Sequence, residues 1–304
     1  MSITVYLPLL IAPLFALLAP RLARRLSPGP ATWMLSTGSL LVAGASVAAL
    51  ALLAVPLAAQ LPVLAQQGGW SGSVLAAHDP VRPPIAVTAL TLLICLAGSA
   101  LRSLLGQAVA LRRSYRVAAA LPATGQLAVI DTGRPDAFAV PGRPGRIVVS
   151  PAVLHALDSG QRRALLAHER AHLSAHHHLH AAAAELAATV NPLLWSLRGA
   201  TRLSCERWAD EAAAAVAGRF ETAAALARAG RLSAETPVRA PARPSLAAAL
   251  TDVEVRLAAL SRPAPRRISS WRLVIPLLLV ALCGLAVANA AAEAHALLEL
   301  AQGR

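Results

Sequence analysis

The sequence contains no lysine: all 28 of its basic residues are arginine. Charged residues make up only 14% of the chain and aromatic residues 3%. A soluble domain carries about a quarter charged residues, so a wholly soluble protein is excluded. The 56% hydrophobic content and mean hydropathy of +0.57 point instead to an integral membrane protein with a modest polar domain. Cysteine is scarce as well. Cys95, Cys205 and Cys283 lie in apolar or helical stretches, form no CxxC pair, and exclude a disulfide framework. The net charge of +13 does not lead to nucleic acid, because no binding motif and no aromatic platform accompany it. The arginines cluster at the ends of apolar runs, where they set membrane orientation.

Four apolar runs are long enough to cross a bilayer, which takes about 20 residues. They cover residues 2–20, 33–58, 85–106 and 273–292. The first carries its positive charges behind it, at Arg21, Arg24 and Arg25. No cleavage site follows, so it reads as a retained span rather than a signal peptide. The runs contain almost no ionisable residue, which argues against a transporter or channel. Arginine is dense after span one, after span three (Arg112, Arg113, Arg116) and before span four (Arg262, Arg266, Arg267, Arg272). The 60–84 segment, read as a loop, and the tail are poor in it. The positive-inside rule then puts the N-terminus outside and residues 107–270 in the cytoplasm. The expected organisation is three spans over residues 1–106, a cytoplasmic domain over 107–229, a linker with a short amphipathic helix over 230–270, and a fourth span with a short tail over 271–304.

Within the polar domain, Val117–Ala120, Leu127–Ile130, Ala137–Val140 and Ile147–Ser150 are strand-like, with a turn at Asp131-Thr132-Gly133. They suggest a small sheet. A short helix near Pro151–Asp158 follows, then a second from an Asp158 N-cap with Gln161 three residues on, extending to about His180. This second helix carries His168-Glu169-Arg170-Ala171-His172, an HExxH pattern. Histidines four apart lie one above the other on a helix, so both rings reach one zinc ion, and Glu169 stands beside them as a general base. His176 and His180 continue that face at four-residue steps, as exposed helix-end residues or an accessory site. Residues 181–200 read as a helix packed in the domain or lying on the membrane surface. The next helix starts at Pro192 and runs to about Ala217.

Thirty-four residues after His172, Glu206 and Asp210 share a helix face with Arg202. Glu206 would complete a two-His, one-Glu zinc site with an open position. Asp210 would accept from the second ring nitrogen of a ligand histidine. The competing reading is a surface cluster of Arg202–Glu206 and Arg207–Glu211 ion pairs.

HExxH followed by ExxxD on a later helix resembles the gluzincin membrane peptidases. Asn191-Pro192-Leu193-Leu194-Trp195 ahead of Glu206, Ala137-Phe138 and Ile147–Ser150, and the three-plus-one arrangement of spans resemble the BlaR/MecR type. The HtpX-like quality-control peptidases are the related branch. The resemblance is strongest over residues 136–215. It implies a mainly α fold, with four transmembrane helices and a cytoplasmic zincin-like α+β metallopeptidase domain inserted between spans three and four. It implies one Zn2+ per chain on His168, His172 and Glu206, Glu169 as catalytic base, and Asp210 behind a ligand. The sequence does not place the oxyanion donor; Arg202 is a candidate for it. The expected activity is cleavage of a protein or peptide substrate in the cytoplasm or next to the bilayer, such as a repressor protein. The large sensor domain of the BlaR/MecR proteins has no counterpart in these 304 residues, so the resemblance carries no β-lactam sensing. A non-catalytic membrane transducer with a structural metal site is the rival class. It gives no reason for Glu169 to stand beside the metal.

Overall fold

The computed structural model describes residues 3–78, 81–131, 135–235, 246–264 and 273–303. Among the described residues, four helices are long and apolar enough to cross a membrane. The first is a short 3-10 turn, Ile3–Tyr6, leading into α1 (Leu7–Ala23). The others are α2 (Pro28–Ala59), α5 (Pro83–Ala120) and α12 (Val274–Ala301). Proline stands in the first turn of α1, α2 and α5, where its missing N–H has no helical partner to lose. Between α2 and α5 the expected loop holds two short helices, α3 (Pro62–Gly68) and α4 (Gly72–His78). Trp70 folds between them and donates to the Ala59 carbonyl at 2.8 Å.

Helix α5 has 38 residues and spans about 57 Å at 1.5 Å per residue, nearly twice the hydrocarbon core. Its last turns therefore stand clear of the apolar stretch and enter the polar domain. Val117–Ala120, expected as a strand, is the end of this helix. Nothing in Val-Ala-Ala-Ala opposes helix, and Ala118 packs beneath the sheet with Ala128, Val140 and Val148. The sheet has three strands: β1 (Leu127–Val129), β2 (Ala137–Val140) and β3 (Arg146–Val149), in the order β1-β3-β2. β1 runs parallel to β3, and β2 antiparallel to it with Phe138 opposite Val148. β2 is thus an edge strand. The turn expected at residues 131–133 lies outside the described residues beyond Asp131.

Ser150 caps α6 (Pro151–Ala156) and also accepts from the Asp136 N–H at 3.0 Å, tying β2 to the helix start. Asp158 caps α7 (Ser159–Ser174) by accepting from the Gln161 N–H at 2.9 Å, as its sequence suggests. α7 does not run on to His180. It stops at Ser174, and His176 takes a left-handed backbone (φ 50°) before α8 (His177–Val190) begins. α8 then descends beside α2. His180 Nδ1 lies 2.8 Å from Ser36 Oγ, and the Asn191 amide donates to Ser46 Oγ at 2.9 Å. These contacts are spaced almost equally on both helices, so α8 and α2 run side by side in the same direction. A 3-10 turn at Pro192–Leu194 reverses the chain, and α9 (Ser196–Ala217) climbs back. Leu194 and Leu197 are buried among Phe15, Leu35 and Val42 of the spans. Residues 181–200 therefore form a hairpin wedged among the candidate spans rather than a helix on their surface.

α10 (Arg219–Glu235) extends into the stretch expected as linker. The rest of that linker, residues 236–245, lies outside the described residues, as do Arg266, Arg267 and Arg272. α11 (Leu246–Leu260) begins seven residues before the short amphipathic helix expected over Val253–Leu260, and α12 continues nine residues past the expected end of span four.

Candidate metal centre

The site forms where α7 crosses α9. The buried faces of the two helices carry Ala164, Ala167 and Ala171 on one side and Ala209, Asp210 and Ala213 on the other. Small residues allow close approach, so side chains of both helices meet. His168 Nε2 and His172 Nε2 lie 3.1 Å apart. Glu206 reaches both, with Oε2 at 3.4 Å from His168 Nε2 and Oε1 at 3.6 Å from His172 Nε2. Ligand atoms about 2.0–2.1 Å from a tetrahedral zinc stand about 3.3 Å from one another. The three donors therefore fit zinc with little adjustment, and two imidazoles with one carboxylate suit its chemistry.

The surrounding groups hold this set in place. Asp210, 3% exposed, accepts from His168 Nδ1 at 3.1 Å. Arg256 of α11 grips Asp210 with two bonds, 2.8 Å from Nε and 2.7 Å from Nη2, and its Nη1 lies 3.0 Å from Glu206 Oε2. The competing ion pairs do not form: Glu206 pairs with Arg256, and Glu211 with Arg219 at 2.7 Å. Arg202 lines the cleft beside Glu206 with an exposed side chain. His176 is exposed and His180 turns to Ser36, so neither extends the ligand face. The residue that returns to the site is His177, whose Nδ1 lies 2.9 Å from His172 Nδ1.

The electrostatics follow from burial and from these partners. Burial pushes the Glu169 carboxyl up to about 7, against the opposing pull of His168 and of the Ala139 amide. Burial works against a charged His168, yet hydrogen bonds to Asp210 and Glu206 outweigh it and raise this histidine to about 9. Burial lowers His172 to about 4. Glu206 is held well below the usual carboxylate range: burial opposes its charge, but His168 and Arg256 prevail. Asp210 is lowered for the same reasons, with Arg256 foremost among the groups that overcome burial.

Two cavities meet at Ala137, His168, Glu169 and Glu206. One, of about 220 Å³, is walled by Val153, Leu165, Leu226 and Leu232 and includes Arg256. The other, of about 500 Å³, holds Phe138, His177, Arg202 and Cys205. Sequence reasoning missed Arg256 and His177. Arg256 had a signal, being the one basic residue of α11. His177 had none, because an unbroken helix would point it away.

Fold and site together resemble the membrane-type zinc metallopeptidases: the described residues are mainly helical, with four long apolar helices, a small sheet and a His/His/Glu cluster that could hold a metal ion. Residues 107–236 match the model of peptidase family M48, and that stretch contains the whole ligand set. No curated protein and no solved structure matches the chain.

Proposed function

We propose that this chain is a membrane-bound zinc endopeptidase that cleaves a polypeptide segment at or beside the bilayer. The observation that carries this is the convergence of His168, His172 and Glu206, from two helices, around a point with Glu169 alongside. Zinc held there supplies Lewis acidity, polarising a peptide carbonyl and acidifying water. The chain's own residues do the rest. Glu169 is buried with a carboxyl pushed to about 7, so it takes a proton from the attacking water and passes it to the leaving amine. Asp210 and Arg256 fix the His168 ring. Arg202 stands at the cleft as donor to the carbonyl oxygen.

Substrate would bind extended along the outer edge of β2, displacing the bonds that the Ala137 N–H makes to Asp136 Oδ1 at 3.0 Å and the Ala139 amide makes to Glu169. The Ser150 N–H donates to the Asp136 carbonyl, so Phe138 and Val140 share that parity and bond to β3. The main chain of Ala137 and Ala139 faces the other way, toward the cleft. An added peptide strand would pair there, with one apolar side chain in the pocket lined by Leu165 and Leu226.

The site also lies close to the spans. Ser204, two residues before Glu206, bonds Thr32 of α2 at 2.9 Å, and Trp208 packs over Gly29. This favours a substrate segment near the membrane surface. The BlaR/MecR resemblance supports regulatory cleavage of a cytoplasmic repressor. Degradation of damaged membrane proteins, as in the HtpX-like peptidases, is the alternative. The test is zinc stoichiometry of the detergent-solubilised protein, with casein cleavage or self-cleavage by wild type and Glu169→Gln. One zinc per chain and activity in wild type alone is the expected result. Equal activity in both would refute the proposal.

A further inference from the structure

We infer that His177 is a positioning residue of the metal centre, holding the ligand His172 by its second ring nitrogen through a neutral imidazole. This rests on the zinc reading above. Both ligand rings turn Nε2 toward the shared point, which leaves each with a free Nδ1. His168 gives its Nδ1 to Asp210 at 3.1 Å, and His172 places its Nδ1 at 2.9 Å from His177 Nδ1. A neutral imidazole that offers Nε2 to a metal carries its proton on Nδ1. His172 is therefore the donor in this pair and His177 the acceptor, with the His177 proton on Nε2.

The surroundings of His177 fix its ring by packing. The residue is 4% exposed, and among the described residues its Nε2 has no hydrogen-bond partner and its one hydrogen bond is to His172. The ring is otherwise held by packing, edge-on to His172 at 4.7 Å and tilted against Trp208 at 5.1 Å. Trp208 in turn lies over Gly29 of α2, where an added Cβ would meet the indole at 3.4 Å. The backbone is also shaped for this contact. On an unbroken helix, the fifth residue after His172 would point about 140° away from it. The left-handed turn at His176 cancels that rotation and brings His177 back over His172. An imidazole orients His172 without adding a further charge beside Glu206 and Asp210.

The test uses the full-length protein in detergent, with zinc affinity measured by competition against a chelating dye. His177→Phe keeps a ring against Trp208 and removes the acceptor. His177→Asn removes the ring but keeps an oxygen at the place of Nδ1. Thermal unfolding without zinc checks folding. The Phe variant should bind zinc 10–100-fold more weakly, as is typical when a group orienting a ligand is lost. The Asn variant should stay close to wild type. At saturating zinc, kcat should fall in the Phe variant with KM little changed, and recover in the Asn variant. Wild-type affinity in the Phe variant would overturn the inference, as would an Asn variant as weak as Phe. Should the Phe variant fail to fold, the Asn variant decides alone: tight zinc binding supports the inference and weak binding overturns it. A wild type that binds no zinc would instead remove the metal reading beneath it.

Discussion

Glu169 is the residue on which activity and stability should pull in opposite directions. Its carboxylate is 8% exposed, and burial raises its pKa from the usual carboxylate value to about 7. A raised folded-state pKa contributes stability that is fully present below the unfolded value and is lost as pH rises through about 7. His168, raised to about 9, loses its contribution over a higher window, from about 6.5 to about 9. The metal-free protein should therefore grow less stable between about pH 5 and pH 9. Glu169→Gln should remove the lower part of that decline, a gain of roughly 3 kcal/mol above pH 7 at most. Melting curves of both proteins at pH 5, 7 and 8.5, with chelator present, measure this, and parallel curves would refute it. The same variant should lower kcat by about 10²–10⁴-fold, the usual worth of a positioned general base. Zinc should meanwhile stabilise the wild type more at pH 8.5 than at pH 6, because His168 must give up its proton to become a ligand. A zinc-induced Tm increase independent of pH would show that His168 is not protonated in the metal-free site.

At the scale of elements, α11 and the α8–α9 hairpin supply the parts that the sequence hid. Arg256 reaches across from α11 to Asp210 and Glu206, and leaving the buried Asp210 without this partner costs about 3–5 kcal/mol. Arg256→Ala should lower the melting temperature by that measure. Arg256→Lys should recover only part of it, because a lysine cannot make the two-point contact with Asp210. Full recovery with lysine would reduce the interaction to charge alone. Asn191 does similar work at the far end of the hairpin. Its Oδ1 accepts from the half-buried Leu193 N–H at 3.1 Å, and its amide donates to Ser46 at 2.9 Å in buried surroundings. What could be read from the sequence divides along the same line. His168, His172 and the Asp158 cap depend only on spacing along one helix, and Glu206 and Asp210 repeat that logic on a second. The end of α7 could not be read, because His176 and its neighbours include no Gly or Pro. The break is decided by where His177 and His180 find partners, at His172 and at Ser36 of α2. Val117–Ala120 misled for the opposite reason: a short apolar run suits strand and helix equally, and only the continuity of α5 decides.

For the whole molecule, the question is which face of the membrane the metal centre occupies. The spans were legible because hydropathy needs no tertiary information, and the four long apolar helices match them. The centre is tied to one end of the bundle. Trp208 packs on Gly29, Thr32 bonds Ser204, and Arg207 donates to the Ala23 carbonyl at 3.5 Å, all where α1 ends and α2 begins. That is also where Arg21, Arg24 and Arg25 stand, and α5 emerges into the polar domain with Arg112, Arg113 and Arg116. By the positive-inside rule we propose that this end faces the cytoplasm. The α3–α4 segment, at the other end of α2, would then face outside. In intact cells, with the native cysteines replaced, a membrane-impermeant maleimide should label Gln66→Cys on exposed α3. It should reach Arg163→Cys on exposed α7 only after permeabilisation. Labelling of Arg163→Cys in intact cells would place the ligand helix outside. The arginines would then have failed as orientation signals, and a cytoplasmic repressor could not reach the site.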